Sequence, residues 1–261
     1  MTINFYKYQG AGNDFILIDH RDSQIKNIDN SLVAQLCDRR FGIGADGLML
    51  LTQHPDYDFE MIYYNADGNV GSMCGNGGRC IVAFAKHFRI IDSETNFLAV
   101  DGPHYAKISA EGNWVELQMI DVDSITNDGE AFVLNTGSPH YIEMVDSINS
   151  VDVFGLGQMI RFNDRFKLEG INVNFVQQQD DKIFVRTYER GVENETFSCG
   201  TGVTAAAITT HLHKTGEHTV AIKTLGGELA VRFNHLGGGH FNHIWLQGPG
   251  TFVYKANIHL K

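Results

Sequence analysis

Along much of this chain apolar and polar residues alternate with a period of two, and two conspicuous stretches switch to a helical period. Residues 3–9 and 15–20 read as strands around the turn Gly10-Ala11-Gly12-Asn13-Asp14. Residues 30–40 read as a helix, because Leu32, Val33, Leu36 and Cys37 recur at spacings of three and four. Strands are predicted over 48–51 and 58–64. A helix is predicted over 77–91, and its Ile81, Val82, Phe84, Ala85 and Phe88 cover most of the circumference, which calls for burial on all sides. Short strands follow between 96 and 119. The second half runs through the same scheme. Strands are predicted at 132–134 and 140–145, a helix at 151–160, strands at 171–177 and 182–188, a helix at 201–214, and strands to the end.

The repetition extends to residue identity. Displacing the sequence by 125 positions aligns 58–83 with 183–208 without a gap, and pairs Phe59/Phe184, Tyr63/Tyr188, Asn69/Asn194, Cys74/Cys199, Gly75/Gly200 and Gly77/Gly202. Both segments read as strand, polar loop, Cys-Gly-x-Gly, helix. An internal duplication into two similar α+β domains of about 120 residues accounts for this, with the boundary where the strand pattern breaks into an acidic loop near 119–123.

The two Cys-Gly-x-Gly turns are also where the chemistry concentrates. Each places a cysteine at the start of a helix, where unpaired N–H groups and the helix dipole favour an anion. A thiol in that position is expected to ionise below its usual ~8.5 and to serve as a base, while the glycines let backbone amides approach a carboxylate. Equivalent thiols on two related domains suit removal of a proton from one face of a carbon and its return on the other, which inverts a stereocentre. The cradled carboxylate would carry the charge that develops. A cofactor is not implied, since no Schiff-base signature is recognisable.

Composition narrows the alternatives. The chain has 261 residues, 43% of them hydrophobic and 20% charged, enough for a sizeable core. Twenty Lys+Arg against 31 Asp+Glu argue against nucleic acid. No apolar run approaches the ~18 residues of a membrane span, and the N-terminus has no signal-peptide pattern, so a soluble, cytoplasmic protein is expected. Cys37 and Cys80 read as small core residues, and Cys80 falls opposite Ala205 in the repeat. A four-cysteine zinc site fails on spacing, so no metal is expected. Gly42-Ile43-Gly44-Ala45-Asp46-Gly47 satisfies a dinucleotide fingerprint in letters only, because it follows a helix and precedes a strand. His235, His240 and His243 surround Gly237-Gly238-Gly239, which reads as a hairpin turn rather than a metal site.

Six segments taken in order complete the picture: Gly10-Ala11-Gly12-Asn13-Asp14-Phe15, Asn65-Ala66-Asp67-Gly68, Cys74-Gly75-Asn76-Gly77-Gly78-Arg79-Cys80, Gly137-Ser138-Pro139-His140, Glu189-Arg190-Gly191 and Cys199-Gly200-Thr201-Gly202. Together they resemble the diaminopimelate epimerase family over essentially the whole chain. The resemblance implies an α+β fold of two pseudo-symmetric domains, each a mostly antiparallel sheet wrapped around a central helix. The domains would be 1–119 with the C-terminal strand 252–261, carrying Cys74, and 120–251, carrying Cys199. It implies cofactor-independent interconversion of LL- and meso-2,6-diaminoheptanedioate, a step toward lysine and peptidoglycan precursors, in a homodimer. Cys74 and Cys199 would be the two bases, assisted by His140 and Glu189. Arg190 would pair with the distal carboxylate, Asn13, Asn65 and Asn172 would bind amino and carboxylate groups, and amides of Gly75, Asn76, Gly200 and Thr201 would hold the reacting carboxylate.

Three positions depart from the family pattern. Ser138 stands where many members carry Asn, and Gly47 where some carry Gln. The segment between Arg190 and Cys199 is one residue longer than usual, and its Glu193-Asn194-Glu195 stretch is expected to bulge into solvent. Two rival readings stay open: a racemase of another amino acid such as proline or hydroxyproline on the same fold, and a non-catalytic binding protein for dicarboxylic amino acids.

Overall fold

The computed structural model describes residues 2–23, 25 and 28–259; the last two positions of the expected 252–261 strand lie outside them. The chain divides into two compact units, Met1–Leu117 with Gly248–Lys261, and Gln118–Gln247.

The first unit contains β1 (Thr2–Gly10), β2 (Asn13–Asp19), α1 (Asn30–Cys37), β3 (Gly47–Thr52), β4 (Phe59–Asn65), α2 (Gly75–His87), β5 (Glu94–Ala99), β6 (Gly102–Ile108), β7 (Trp114–Gln118) and β17 (Thr251–His259). The second contains β8 (Ile125–Asp128), β9 (Ala131–Asn135), β10 (Pro139–Met144), α3 (Val153–Arg161), β11 (Asn172–Gln179), β12 (Lys182–Glu189), β13 (Asn194–Thr196), α4 (Gly200–Thr209), β14 (Gly216–Thr224), β15 (Gly227–Gly237) and β16 (His240–Pro249).

Strand pairing in the two units follows one plan. Along β17-β1-β2-β3-β4-β5-β6-β7 every neighbouring pair is antiparallel except β2/β3 and β4/β5. Along β8-β9-β10-β11-β12-β14-β15-β16 the parallel pairs are β10/β11 and β12/β14, at the same two places. Each parallel pair needs a crossover. Helices α1 and α3 supply the first in each unit, α2 and α4 the second. The first strand of the plan comes from the C-terminus in one unit and from the start of the other.

The central helices are buried nearly all round, as their composition requires: Gly75 through Ala85 in α2, and all of α4 except Thr201. Strands β2 and β3 lie between such a helix and α1. Ile16, Ile18, Leu48 and Leu50 face Val33 and Leu36 of α1. Hence the unbroken apolar runs where one-sided burial would have given alternation.

Three expected helices end early: α1 stops at Cys37 rather than 40, where the Asp38 carboxylate takes the Arg40 and Phe41 N–H groups. Helix α2 stops at His87 rather than 91, because Arg89 turns left-handed (φ 56°) and the N–H groups of Arg89 and Ile90 close back on Lys86 and Ala85. Helix α4 stops at Thr209 rather than 214, where Thr209 and Thr210 hydroxyls turn back onto the Ala206 and Ala207 carbonyls. The Gly238-Gly239 pair between β15 and β16 forms the expected hairpin turn, both at positive φ.

Strand register corrects the ungapped alignment of the repeat. Phe15 lies opposite Gly47 and His140 opposite Asn172, both consistent with a displacement of 125. On the next strand, however, Leu48 lies opposite Tyr64 and Val173 opposite Tyr188. Tyr188 is therefore the counterpart of Tyr64, not of Tyr63, and buried Phe59 corresponds to buried Ile183. Ten positions separate Tyr64 from Cys74, but eleven separate Tyr188 from Cys199. The second unit thus carries one extra residue between strand and thiol.

Candidate active site

In the first unit Cys74 is the residue that caps α2. Its backbone is extended, and its half-buried Sγ accepts the Gly77 N–H at 3.2 Å. Gly77 packs closely over Met49: a Cβ there would lie 2.8 Å from the mobile Met49 Cε and 3.3 Å from the Cys74 sulfur itself. Asn76, buried, reaches Asn13 Oδ1 at 3.4 Å through its amide N–H. Asn13 in turn donates to Asp46, which is held with Asp14 by Arg39. Burial pushes the Asp14 carboxyl up, but hydrogen bonds from Arg39 and Lys7 outweigh it and hold it at about 2. The Gly10 turn presses on this group, since a Cβ at Gly10 would meet the Asn76 carbonyl at 2.9 Å. Asn65 ends β4, exposed.

Beneath the turn lies a residue that composition and spacing had not singled out. Arg79 is fully buried, and its guanidinium donates to Asn76 Oδ1 (2.9 Å), the Gly75 carbonyl (3.1 Å) and the Pro249 carbonyl (3.3 Å). It forms no ion pair with a carboxylate among the described residues. Burial without a counter-ion lowers its pKa to about 10.

In the second unit Cys199 caps α4 from the equivalent place. Its Sγ is buried and lies 3.5 Å from Thr201 Oγ1. The turn is pinned by buried Thr136, whose hydroxyl donates to the Thr201 carbonyl at 2.8 Å. Ser138, Asn172 and Arg190 form one polar cluster. Asn172 donates to Ser138 Oγ (2.9 Å) and to the Pro139 carbonyl (3.1 Å), and its Oδ1 accepts the Arg190 backbone N–H at 2.9 Å. The exposed Arg190 guanidinium contacts Ser138 Oγ (3.3 Å) and the Glu169 carbonyl (2.9 Å). Both N–H groups of the Asn172 amide are thus committed within the unit, and Asn172 acts on Ser138 and Arg190 as a brace.

His140 is fully buried on β10. Its Nδ1 faces the Asn174 amide nitrogen at 3.1 Å, and its Nε2 has no partner among the described residues. Burial, reinforced by the positive Arg190, holds its pKa down at about 3, so the ring is neutral at any ordinary pH. A buried N–H left without a partner costs about 1–3 kcal/mol, so this nitrogen is poised for a ligand or a reacting group. Glu189, at the end of β12, accepts the Thr196 hydroxyl at 2.8 Å. Burial raises its carboxyl pKa and that hydroxyl offsets part of the rise.

Chemically, each unit offers a thiol at a helix N-terminus with backbone amides beside it, and the second adds a neutral imidazole, a carboxyl and a guanidinium. A family model described as "Diaminopimelate epimerase" matches residues 5–124 and 132–247. A relative of that name from Flavobacterium psychrophilum is 48% identical over 258 residues, covering 98% of this chain and 100% of its own. This chain belongs to the diaminopimelate epimerase family. It is thereby an enzyme, of the isomerase class. Among solved structures, a phenazine biosynthesis protein of the PhzF family from Bacillus anthracis matches with TM-score 0.78 at 11% identity, over 100% of both chains. A hydroxyproline epimerase from Agrobacterium vitis matches with TM-score 0.68 at 13% identity, over 98% of this chain and 92% of that one. Those two likenesses establish the α+β fold of paired, similar halves.

The three departures from the family pattern have structural counterparts. Ser138 keeps a hydrogen-bonding role, taking Asn172 and Arg190 together. At Gly47 no side chain fits: a Cβ would lie 2.5 Å from the Tyr63 ring and 2.6 Å from the Tyr64 carbonyl, so Tyr63 fills the space a Gln would need. The extra residue is absorbed at Gly191–Glu193, where Gly191 (φ 91°) and Glu193 (φ 55°) both turn left-handed and the Glu193 N–H closes on the Glu189 carbonyl at 2.8 Å. Gly191, Val192 and Asn194 are exposed, but most of the stretch expected to bulge is held as strand, with Asn194 opening β13. Glu193 is drawn back by Arg161 at 3.3 Å, and Glu195 by a two-bond grip from Arg186 (2.6 and 2.7 Å).

Proposed function

We propose that the protein interconverts LL- and meso-2,6-diaminoheptanedioate without a cofactor such as pyridoxal phosphate, using Cys74 and Cys199 as the two bases. One thiolate removes the α-proton and the other thiol returns a proton, so that the centre inverts and the pair ends with its protonation exchanged. Amides of Gly75, Asn76, Gly200 and Thr201 hold the reacting carboxylate, where charge develops in the transition state. His140, neutral, and Glu189 serve the thiols. Arg190 takes the distal carboxylate, and Asn13, Asn65 and Asn172 complete recognition. The observation that carries this reading is the repeated cap: a cysteine at the N-terminus of the buried helix in each of two units built on one strand plan.

The two compact units are then the two domains, the enzyme works in the cytoplasm as a step toward lysine and peptidoglycan precursors, and it acts as a homodimer. In favour of a second copy, β17 is exposed along nearly its whole length, Phe252, Val253 and Tyr254 included.

The test is proton NMR of reduced protein with LL-diaminoheptanedioate in D₂O. Loss of the α-proton signal with growth of the meso isomer is expected, and abolished turnover in Cys74→Ala and Cys199→Ala. Turnover of proline or hydroxyproline instead would move the assignment to another racemase. Binding without exchange would leave a dicarboxylic amino-acid binding protein.

A further inference from the structure

Three residues on three strands of the second unit make a closed chain of hydrogen bonds that ends at His140. Thr187 on β12 donates its hydroxyl to Asn174 Oδ1 at 2.9 Å. Asn174 on β11 spends its two amide hydrogens on the Tyr141 carbonyl and on His140 Nδ1, each at 3.1 Å, with the Asn172 carbonyl further off at 3.4 Å. His140, Asn174 and Thr187 are all buried, so no solvent competes for these groups. The orientation of the amide is decided by the Tyr141 carbonyl. That oxygen only accepts, so Nδ2 and not Oδ1 must face it, and the same nitrogen then faces the imidazole. Nδ1 is consequently an acceptor, and the single ring proton sits on Nε2, which has no partner among the described residues.

We propose that Asn174 is a positioning residue that fixes His140 as its Nε2–H tautomer, with Thr187 locking the amide. The consequence for catalysis rests on the reading of His140 as a helper of the thiols. A second contact ties the device to the candidate site: a Cβ at Gly202 would fall 2.3 Å from Asn174 Oδ1. The amide therefore lies directly against the Cys-Gly-Thr-Gly turn that Cys199 begins. The charged group acting on His140 from outside the chain of bonds is Arg190.

Long-range ¹⁵N–¹H correlation spectra of histidine-labelled, reduced protein test this, with His140 assigned from the signal missing in His140→Gln. The wild type is expected to show an unprotonated Nδ1 and a protonated Nε2. In Asn174→Asp the carboxylate accepts from the ring, so Nδ1 becomes protonated, and kcat is expected to fall ~10- to 100-fold with little change in KM. Thr187→Val keeps the amide but removes its lock, and is expected to give a mixture of tautomers. This second variant decides the matter should Asn174→Asp fail to fold. Nδ1 protonated in the wild type, or an unchanged tautomer in folded Asn174→Asp and Thr187→Val, would overturn the proposal. A switched tautomer with unchanged kcat would uphold the role of Asn174 and remove His140 from the catalytic reading.

Discussion

Replacing Gly202 by alanine should be far more damaging than the same change at Gly77, although the two glycines occupy the same place in the repeated motif. At Gly202 the new Cβ would lie 2.3 Å from Asn174 Oδ1 and 3.3 Å from Cys199 Cβ. Asn174 cannot retreat freely, because it is bonded to Thr187, Tyr141 and His140. Overpacking at a rigid site costs about 1–3 kcal/mol, and a disturbed buried amide adds about 1–2 kcal/mol. Alanine returns roughly 1 kcal/mol through helix propensity. The expected net loss is about 1–4 kcal/mol. At Gly77 the nearest obstacle is the terminal methyl of Met49, 2.8 Å away, which an unbranched thioether side chain can move. There the net change should stay within about 1 kcal/mol. The chain's two tryptophans, Trp114 and Trp245, fall one in each unit, so urea unfolding followed by fluorescence in Trp114→Phe and Trp245→Phe backgrounds reads each unit separately. With a slope of about 2 kcal/mol/M, Gly202→Ala should lower the midpoint of the second unit by roughly 0.5–2 M. Equal shifts for the two alanine variants would refute the argument that Asn174 is what makes residue 202 a glycine.

Arg79→Met removes the guanidinium donors from Asn76 Oδ1, the Gly75 carbonyl and the Pro249 carbonyl, while relieving an uncompensated buried charge. A loss of about 2–4 kcal/mol in the first unit is expected by the same urea titration, and a loss below about 0.5 kcal/mol would mean those bonds carry little weight. Stability should also depend on pH through His140. Its folded pKa of about 3 lies below the ordinary 6.5, so the unfolded chain binds the extra proton first; stability is full above 6.5 and is lost as pH falls toward 3. At pH 5 the loss from this one group is about 2 kcal/mol. The difference between wild type and His140→Gln, measured from pH 7 to 4.5, should have that slope, and a flat difference would contradict a neutral buried ring.

Much of this molecule could be read from local pattern, because hydrophobic period and turn chemistry act over a few residues. Periodicity located most strands and the buried helices, though not β8 or β13, and the doubled Cys-Gly-x-Gly turn located both helix caps and with them Cys74 and Cys199. What escaped was whatever depends on register and on partners far apart in the chain. Asn174 follows Asn172 by two residues and alternates with Val173 and Phe175, so both asparagines face the same side. That doublet was the available signal, but its meaning depends on His140 and Thr187, 34 and 13 positions away. Arg79 was a cation set in the apolar part of a helix, and only the fold shows that carbonyls and an amide oxygen rather than carboxylates receive it. The extra residue before Cys199 was visible in length, yet which strand residues correspond across the duplication was settled by backbone pairing, and it moved Tyr188 from Tyr63 to Tyr64. The sequence by itself determined the elements, the duplication and the residues able to do acid–base chemistry, since these are properties of neighbours along the chain. Tertiary structure alone decided which polar groups are already spent on one another and which, like His140 Nε2, are left free to act, because a buried hydrogen bond exists only once the sheet has brought both partners together.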